Sequence, residues 1–198
     1  QVHRTVSMAR GQIAEGSWYY REIRDPTLGH LHDPERAWPG LNLVTRVGRE
    51  ERARIEIVDM AGEVVHAWEA DWHRLWPDAP HLLEEEFPGQ RNAPYVHGAV
   101  VLEDGDVVFN FEHKGLMRLD RTGEPVWRLA YRTHHSVEVG PDGNLWVSGQ
   151  RRVQRSDPRF PDREPPFDEY TLLEVSPGGE ILRERSITDI LYRNGYGP

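Results

Sequence analysis

Alternating apolar and polar residues predict short antiparallel β-strands along most of this chain. The clearest segments each begin with a histidine: His-Gly-Ala-Val-Val-Leu-Glu-Asp-Gly-Asp-Val-Val at 97–108 and His-Ser-Val-Glu-Val-Gly-Pro-Asp-Gly-Asn-Leu-Trp at 135–146. In both, an alternating strand follows the histidine, an Asp-Gly turn comes next, and a second strand begins after the turn. The two segments start 38 residues apart, which indicates a repeated structural unit.

A second turn pattern alternates with the first along the chain. It consists of a strand, an acidic residue, a glycine-containing turn and another strand, and it occurs at Ile57–Trp68, Leu119–Trp127 and, in weaker form, Leu173–Leu182. Together the two patterns define a unit of four short antiparallel strands. We expect such units near 41–68, 97–129 and 134–185, with insertions at 69–95 and 156–168.

Repeats of four antiparallel strands are typical of a β-propeller, so the predicted fold is all-β with about three four-stranded blades. Residues 1–40 are polar and punctuated by proline, and we interpret them as an N-terminal wrapping segment before a partial propeller at 41–198. Propellers close with about four to eight blades. We therefore expect either a fragment of a longer protein or a second chain that completes the ring.

Composition narrows the classes of function. The formal net charge is −9, from 24 basic and 33 acidic residues, and no cluster of Lys and Arg forms a nucleic-acid footprint. The chain has no cysteine, which excludes disulfides, thiolate metal sites and cysteine nucleophiles. No apolar run reaches the length of about 18 residues that a membrane helix needs, and no signal peptide is visible. The sequence leaves open whether an anchor or export signal preceded Gln1 and was removed.

Histidines at the starts of the inner strands are the candidate functional residues. Inner strands of a propeller begin at the axial channel, so His97 and the pair His134 and His135 are expected to converge there, or else to brace neighbouring strands. Because adjacent residues on a strand point to opposite faces, we expect one of the pair to face the channel and the other to pack between blades. The same alternation argues against a shared metal ion, so no metal or cofactor is predicted. His66 and His113 are interpreted as structural.

The segments Thr133–Trp146, Ile57–Trp68 and Tyr95–Gly98 resemble the bacterial arylsulfotransferase-like (ASST) propeller family. The resemblance covers roughly residues 39–185. It implies a six-bladed ring in a periplasmic or otherwise extracytoplasmic protein, often anchored to a membrane. It also implies transfer of a sulfuryl group from an aryl sulfate to a phenolic acceptor through a channel histidine. Among the family's channel residues, only His97, His134 and His135 have counterparts here.

Two functions therefore follow from the sequence. The first is an arylsulfotransferase-like enzyme with catalytic His97, His134 and His135, no cofactor, and phenolic small molecules as partners. In that case an N-terminal segment that is removed or absent here would supply any membrane anchor. The alternative is a non-catalytic propeller scaffold that binds a partner protein. Later blades carrying further channel His, Asn and Arg would favour the enzyme, and their absence would favour the scaffold.

Overall fold

Antiparallel β-sheets make up most of the described chain, which comprises residues 33, 35–47, 53–88 and 95–197 of a computed structural model. The strands form three sheets, of three, four and four strands. The chain divides into two compact units, one within residues 1–96 and one within residues 97–198. Each unit is described by itself.

The first unit contains a three-stranded sheet. Its strands lie in the order β1-β2-β3, with bounds Asn42–Val47, Ala53–Val58 and Val64–Glu69. The described residues contain no fourth strand of this sheet, and the chain continues from β3 into a short helix. This helix, α1 (Trp72–Leu75), begins where the carboxylate of Asp71 accepts hydrogen bonds from the backbone N–H groups of the first turn. A 3₁₀ helix follows at Glu84–Glu86.

The second unit contains two four-stranded sheets, as the hairpin patterns predict. The first sheet has the order β4-β5-β6-β7, with bounds Val96–Val101, Val107–Phe111, Gly115–Leu119 and Pro125–Leu129. The second has the order β8-β9-β10-β11, with bounds Arg132–Val139, Leu145–Val153, Phe167–Val175 and Ile181–Ser186. Helix α2 (Ile187–Arg193) follows directly and is capped by the hydroxyl of Ser186. Strand β10 begins within the insertion expected at 156–168, since Phe167 already pairs with Val153 on β9.

The turns between strands have the chemistry expected from their Asp-Gly sequences. The carboxylate of Asp104 accepts from the N–H of Asp106 at 3.1 Å, and that of Asp120 accepts from the N–H of Thr122 at 2.8 Å. The glycine of each turn has positive φ, for example 87° at Gly105 and 91° at Gly123. Acidic side chains that bond to the turn backbone, followed by glycine in the left-handed region, close a tight hairpin at little steric cost.

The core of the second unit lies between its two sheets. One cluster of buried side chains there is wholly aliphatic and draws on both sheets: Val108, Leu116, Val137, Leu145, Val147, Leu173 and Val175. Trp127 on β7 donates from its Nε1 to the carbonyl oxygen of Pro177, in the turn between β10 and β11, at 2.9 Å. The two sheets are thus joined by both apolar packing and hydrogen bonds.

Two broader predictions stay open. The structure has three sheets in its described residues and shows no closed ring, so the six-bladed propeller stays a prediction. The predicted wrapping segment lies mostly outside the described residues, which begin at 33. No described helix has the length and apolar character needed to cross a membrane.

Candidate functional site

Four histidines and a glutamate meet in the second unit, near the start of each sheet's first strand. The rings of His97 and His135 lie edge to face with centroids 4.7 Å apart, and those of His134 and His135 are 4.6 Å apart. The ring of His113 is 5.0 Å from that of His134. Glu112 lies between His97 and His113. We call these five residues the histidine cluster.

A bulge in β8 brings the two adjacent histidines together. His134 pairs with Ser148 on β9, but the next paired residue is Val137, opposite Val147, so His135 and Ser136 have no partner in the ladder. His135 has φ of 60°, in the left-handed region that non-glycine residues rarely adopt. His134 is buried and His135 is exposed, so the two side chains differ in environment, whereas the prediction that one of them faces an axial channel stays a prediction. The strand bends at the pair, and both rings contact each other.

Contacts from β4 and β5, two strands of the neighbouring four-stranded sheet, hold the backbone of His135. Its N–H donates to Nδ1 of His97 at 3.3 Å, and its carbonyl oxygen accepts from Nδ2 of Asn110 at 2.6 Å. Asn110 is fully buried on β5 between Phe109 and Phe111. Gly98, next to His97, allows close approach, since a β-carbon there would overlap the His135 carbonyl oxygen and lie 2.8 Å from Cα of Ser136.

Glu112 and His113 are the two members of the cluster that lie in the turn between β5 and β6. The N–H of His113 donates to the carbonyl oxygen of Thr133 on β8 at 2.8 Å, which fixes the turn against the second sheet. His113 has φ of 56°. Oε1 of Glu112 lies 3.1 Å from Nδ1 of His97 and 3.7 Å from Nε2 of His113. Glu112 is thus within hydrogen-bonding distance of His97 but not of His113.

The histidines differ in burial, and burial lowers the pKa of two of them. His134 is 4% exposed, and neither of its ring nitrogens makes a hydrogen bond of normal geometry among the described residues. Burial, with smaller contributions from His113 and His135, lowers the pKa of His134 to about 4. Burial also lowers the pKa of His113, partly opposed by Glu112. Both rings are therefore neutral near pH 7, whereas His135 is exposed to solvent.

The structure brings together all three histidines that the sequence singled out. Three further residues lie beside these histidines: Glu112, His113 and Asn110. On sequence alone, His113 is interpreted as structural, and neither Glu112 nor Asn110 is named. Asn110 carried a signal, because it is the one polar residue in the apolar strand Val107–Phe111. Glu112 carried none, since its proximity to His97 depends on how the β5–β6 turn packs. No group of three or more potential metal ligands suited to one ion occurs in the described parts of the chain.

The fold and the cluster together describe the class of protein: it is an all-β protein in which histidines from successive sheets are in contact. The family model described as Arylsulfotransferase (ASST) matches residues 98–197, which include both four-stranded sheets and nearly the whole cluster. The chain belongs to the arylsulfotransferase (ASST) family, as its sequence motifs suggested.

Solved structures give only distant similarity. A protein of unknown function from Bacteroides caccae is 19% identical, with a TM-score of 0.42, and the match covers 74% of this chain and 40% of that one. Streptogramin B lyase is 12% identical, with a TM-score of 0.32, and the match covers 73% of this chain and 54% of that one. The chain thus spans about half or less of the length of these structures. No curated protein matches it.

Proposed function

We propose that this protein transfers a sulfuryl group from an aryl sulfate to a phenolic acceptor, with His135 as the residue that carries the group. The observation that carries the proposal is the contact between His97 and His135, equivalent residues of two repeats, inside the region that matches the family. The exposed imidazole of His135 is accessible to a substrate. His134 has too little exposure for this role and supports the ring of His135 instead.

The proposed reaction has two steps. In the first, a lone pair on the imidazole of His135 forms a bond to the sulfur of the aryl sulfate, and the sulfur–oxygen bond to the aryl group breaks. The bonding pair leaves on the phenolate, which takes up a proton from solvent. In the second step, an acceptor phenol that has lost its proton to solvent attacks the sulfur, and the nitrogen–sulfur pair returns to His135. Neutral imidazole suits this role because it is both a nucleophile and a good leaving group.

Turnover by matched histidine variants tests the proposal. The substrate pair is 4-nitrophenyl sulfate and phenol, and the release of 4-nitrophenol depends on the acceptor. We expect His135→Ala to abolish turnover and His97→Ala to reduce it strongly. His73→Ala, an exposed histidine on α1, serves as the control and should retain full activity. An inactive wild-type protein that binds neither substrate would instead favour the non-catalytic scaffold.

Wider features of the protein belong to the same proposal. We infer a six-bladed ring, completed by a longer form of this chain or by a second chain, and an extracytoplasmic location. Residue similarity to the family supports these inferences. Intact-mass measurement of the native gene product, together with cell fractionation, tests them.

A further inference from the structure

Within the histidine cluster, Glu112 lies on the side of His97 that faces away from the His135 ring. Its Oε1 atom lies 3.1 Å from Nδ1 of His97, and its side chain is 15% exposed. The opposite nitrogen, Nε2 of His97, faces Nδ1 of His135 at 3.5 Å. The three side chains therefore form a row of carboxylate, imidazole and imidazole.

Two proton arrangements fit this row. In the first, Nδ1–H of His97 donates to Glu112, and Nε2 of His97 accepts from Nδ1–H of His135. This arrangement leaves the lone pair of His135 on its Nε2 atom. In the second, Nδ1 of His97 accepts from the backbone N–H of His135 at 3.3 Å, and Nε2–H of His97 donates to Nδ1 of His135. The second arrangement places the proton of His135 on Nε2.

The charge of Glu112 decides between the two arrangements. An ionised carboxylate only accepts hydrogen bonds, so the second arrangement would set the lone pair of His97 against a carboxylate oxygen. A charge-assisted hydrogen bond is roughly twice as strong as a neutral one. An Nδ1–H of His97 directed at the carboxylate 3.1 Å away is charge-assisted, and this favours the first arrangement over the 3.3 Å bond from the His135 backbone.

We propose that Glu112 is a positioning residue that sets the tautomers of His97 and His135, so that Nε2 of His135 is the nitrogen with the free lone pair. In the function proposed above, on which this role rests, Nε2 then forms the bond to sulfur. The positive charge that develops on the ring is shared with Nδ1–H, which donates to His97, and the carboxylate of Glu112 offsets it.

Nitrogen-15 NMR of the ring atoms tests the tautomer directly and requires no turnover. We expect wild-type full chain at pH about 8, above the ordinary histidine pKa, to show His135 unprotonated at Nε2 and protonated at Nδ1. In Glu112→Leu the carboxylate is lost while the backbone N–H of His135 still donates to Nδ1 of His97, so the tautomers of both histidines should reverse. Glu112→Asp should retain the wild-type tautomer in part. Glu138→Leu, an exposed position on β8, is the control and should leave both rings unchanged.

Kinetics supply the second readout. We expect Glu112→Leu to lower kcat at least tenfold with little change in KM, because removal of a tautomer-setting carboxylate acts on chemistry more than on binding; such changes can reach about 10⁴-fold in hydrolases. A wild-type spectrum with His135 protonated at Nε2 would overturn the inference even if Glu112→Leu fails to fold. The expected tautomer without any arylsulfate turnover would support the role of Glu112 and contradict the proposed function.

Discussion

The carbonyl oxygen of His135 accepts a 2.6 Å hydrogen bond from Nδ2 of Asn110, a fully buried side chain on the neighbouring sheet. This bond crosses from β5 to the bulge of β8. It holds the left-handed backbone conformation of His135, which costs about 1–3 kcal/mol when unsupported. The position of the exposed imidazole thus depends on a buried amide 25 residues away in sequence.

Asn110→Leu removes this bond while keeping the size of the side chain. We expect the free energy of unfolding to fall by about 1–3 kcal/mol, since the buried donor is lost and the carbonyl oxygen loses its partner. Arylsulfate turnover should fall as His135 moves. Asn194→Leu is the matched control, because Asn194 donates to the carbonyl oxygen of Ile190 at 2.8 Å on exposed α2. Urea unfolding of both variants checks the prediction, and equal stability losses would contradict it.

Gly98→Ala introduces a side chain where β4 approaches the bulge. Its β-carbon would overlap the carbonyl oxygen of His135, and backbone atoms cannot move aside as a flexible side chain can. We expect a loss of about 1–3 kcal/mol in unfolding free energy. Gly178→Ala is the control, because the nearest atom to its β-carbon is the Ser176 hydroxyl oxygen at 3.6 Å. A Gly98→Ala protein as stable as Gly178→Ala would show that the close approach is not required.

The burial of His134 predicts how stability depends on pH. Its pKa is about 4 in the folded protein, against an ordinary value of 6.5, so between these values the unfolded chain binds a proton that the folded chain does not. Stability should therefore fall as pH drops through this window, by about 3 kcal/mol from this residue. His134→Leu should remove that contribution.

The measurement is the free energy of unfolding of wild type and His134→Leu at several pH values from 7 down to about 4. Carboxylates that titrate in the same range contribute to both proteins and cancel in the difference. The wild type should lose more stability than the variant. Parallel pH profiles would contradict the assignment of a neutral, buried His134.

Local sequence predicted the strands well because each hairpin carries its own signals. Apolar runs and alternation marked the strands β4 to β7, although β5 is buried on both faces, and Asp120 with Gly123 marked a turn that closes through bonds between neighbouring residues. The three-stranded sheet was harder, since the short helix after β3, which Asp71 caps, had no clear signal in the local sequence.

The candidate site was predicted only in part. The repeat predicted that His97 and a histidine of the 134–135 pair would meet, and the structure brings His97 and His135 together. The bulge could not be predicted, because nothing local to His135 favours φ of 60° over extended backbone. Asn110 and the small Gly98 make it possible, and both act from another sheet.

Covalent trapping tests the central claim most directly. The full chain is mixed with an aryl sulfate without acceptor, quenched in denaturant and mapped by peptide mass spectrometry. We predict one added SO₃ group on the wild type, located at His135 by fragmentation. The adduct should be absent in His135→Ala and present in the control His73→Ala. An adduct on His97 or His134, or an adduct that persists in His135→Ala, would contradict the account.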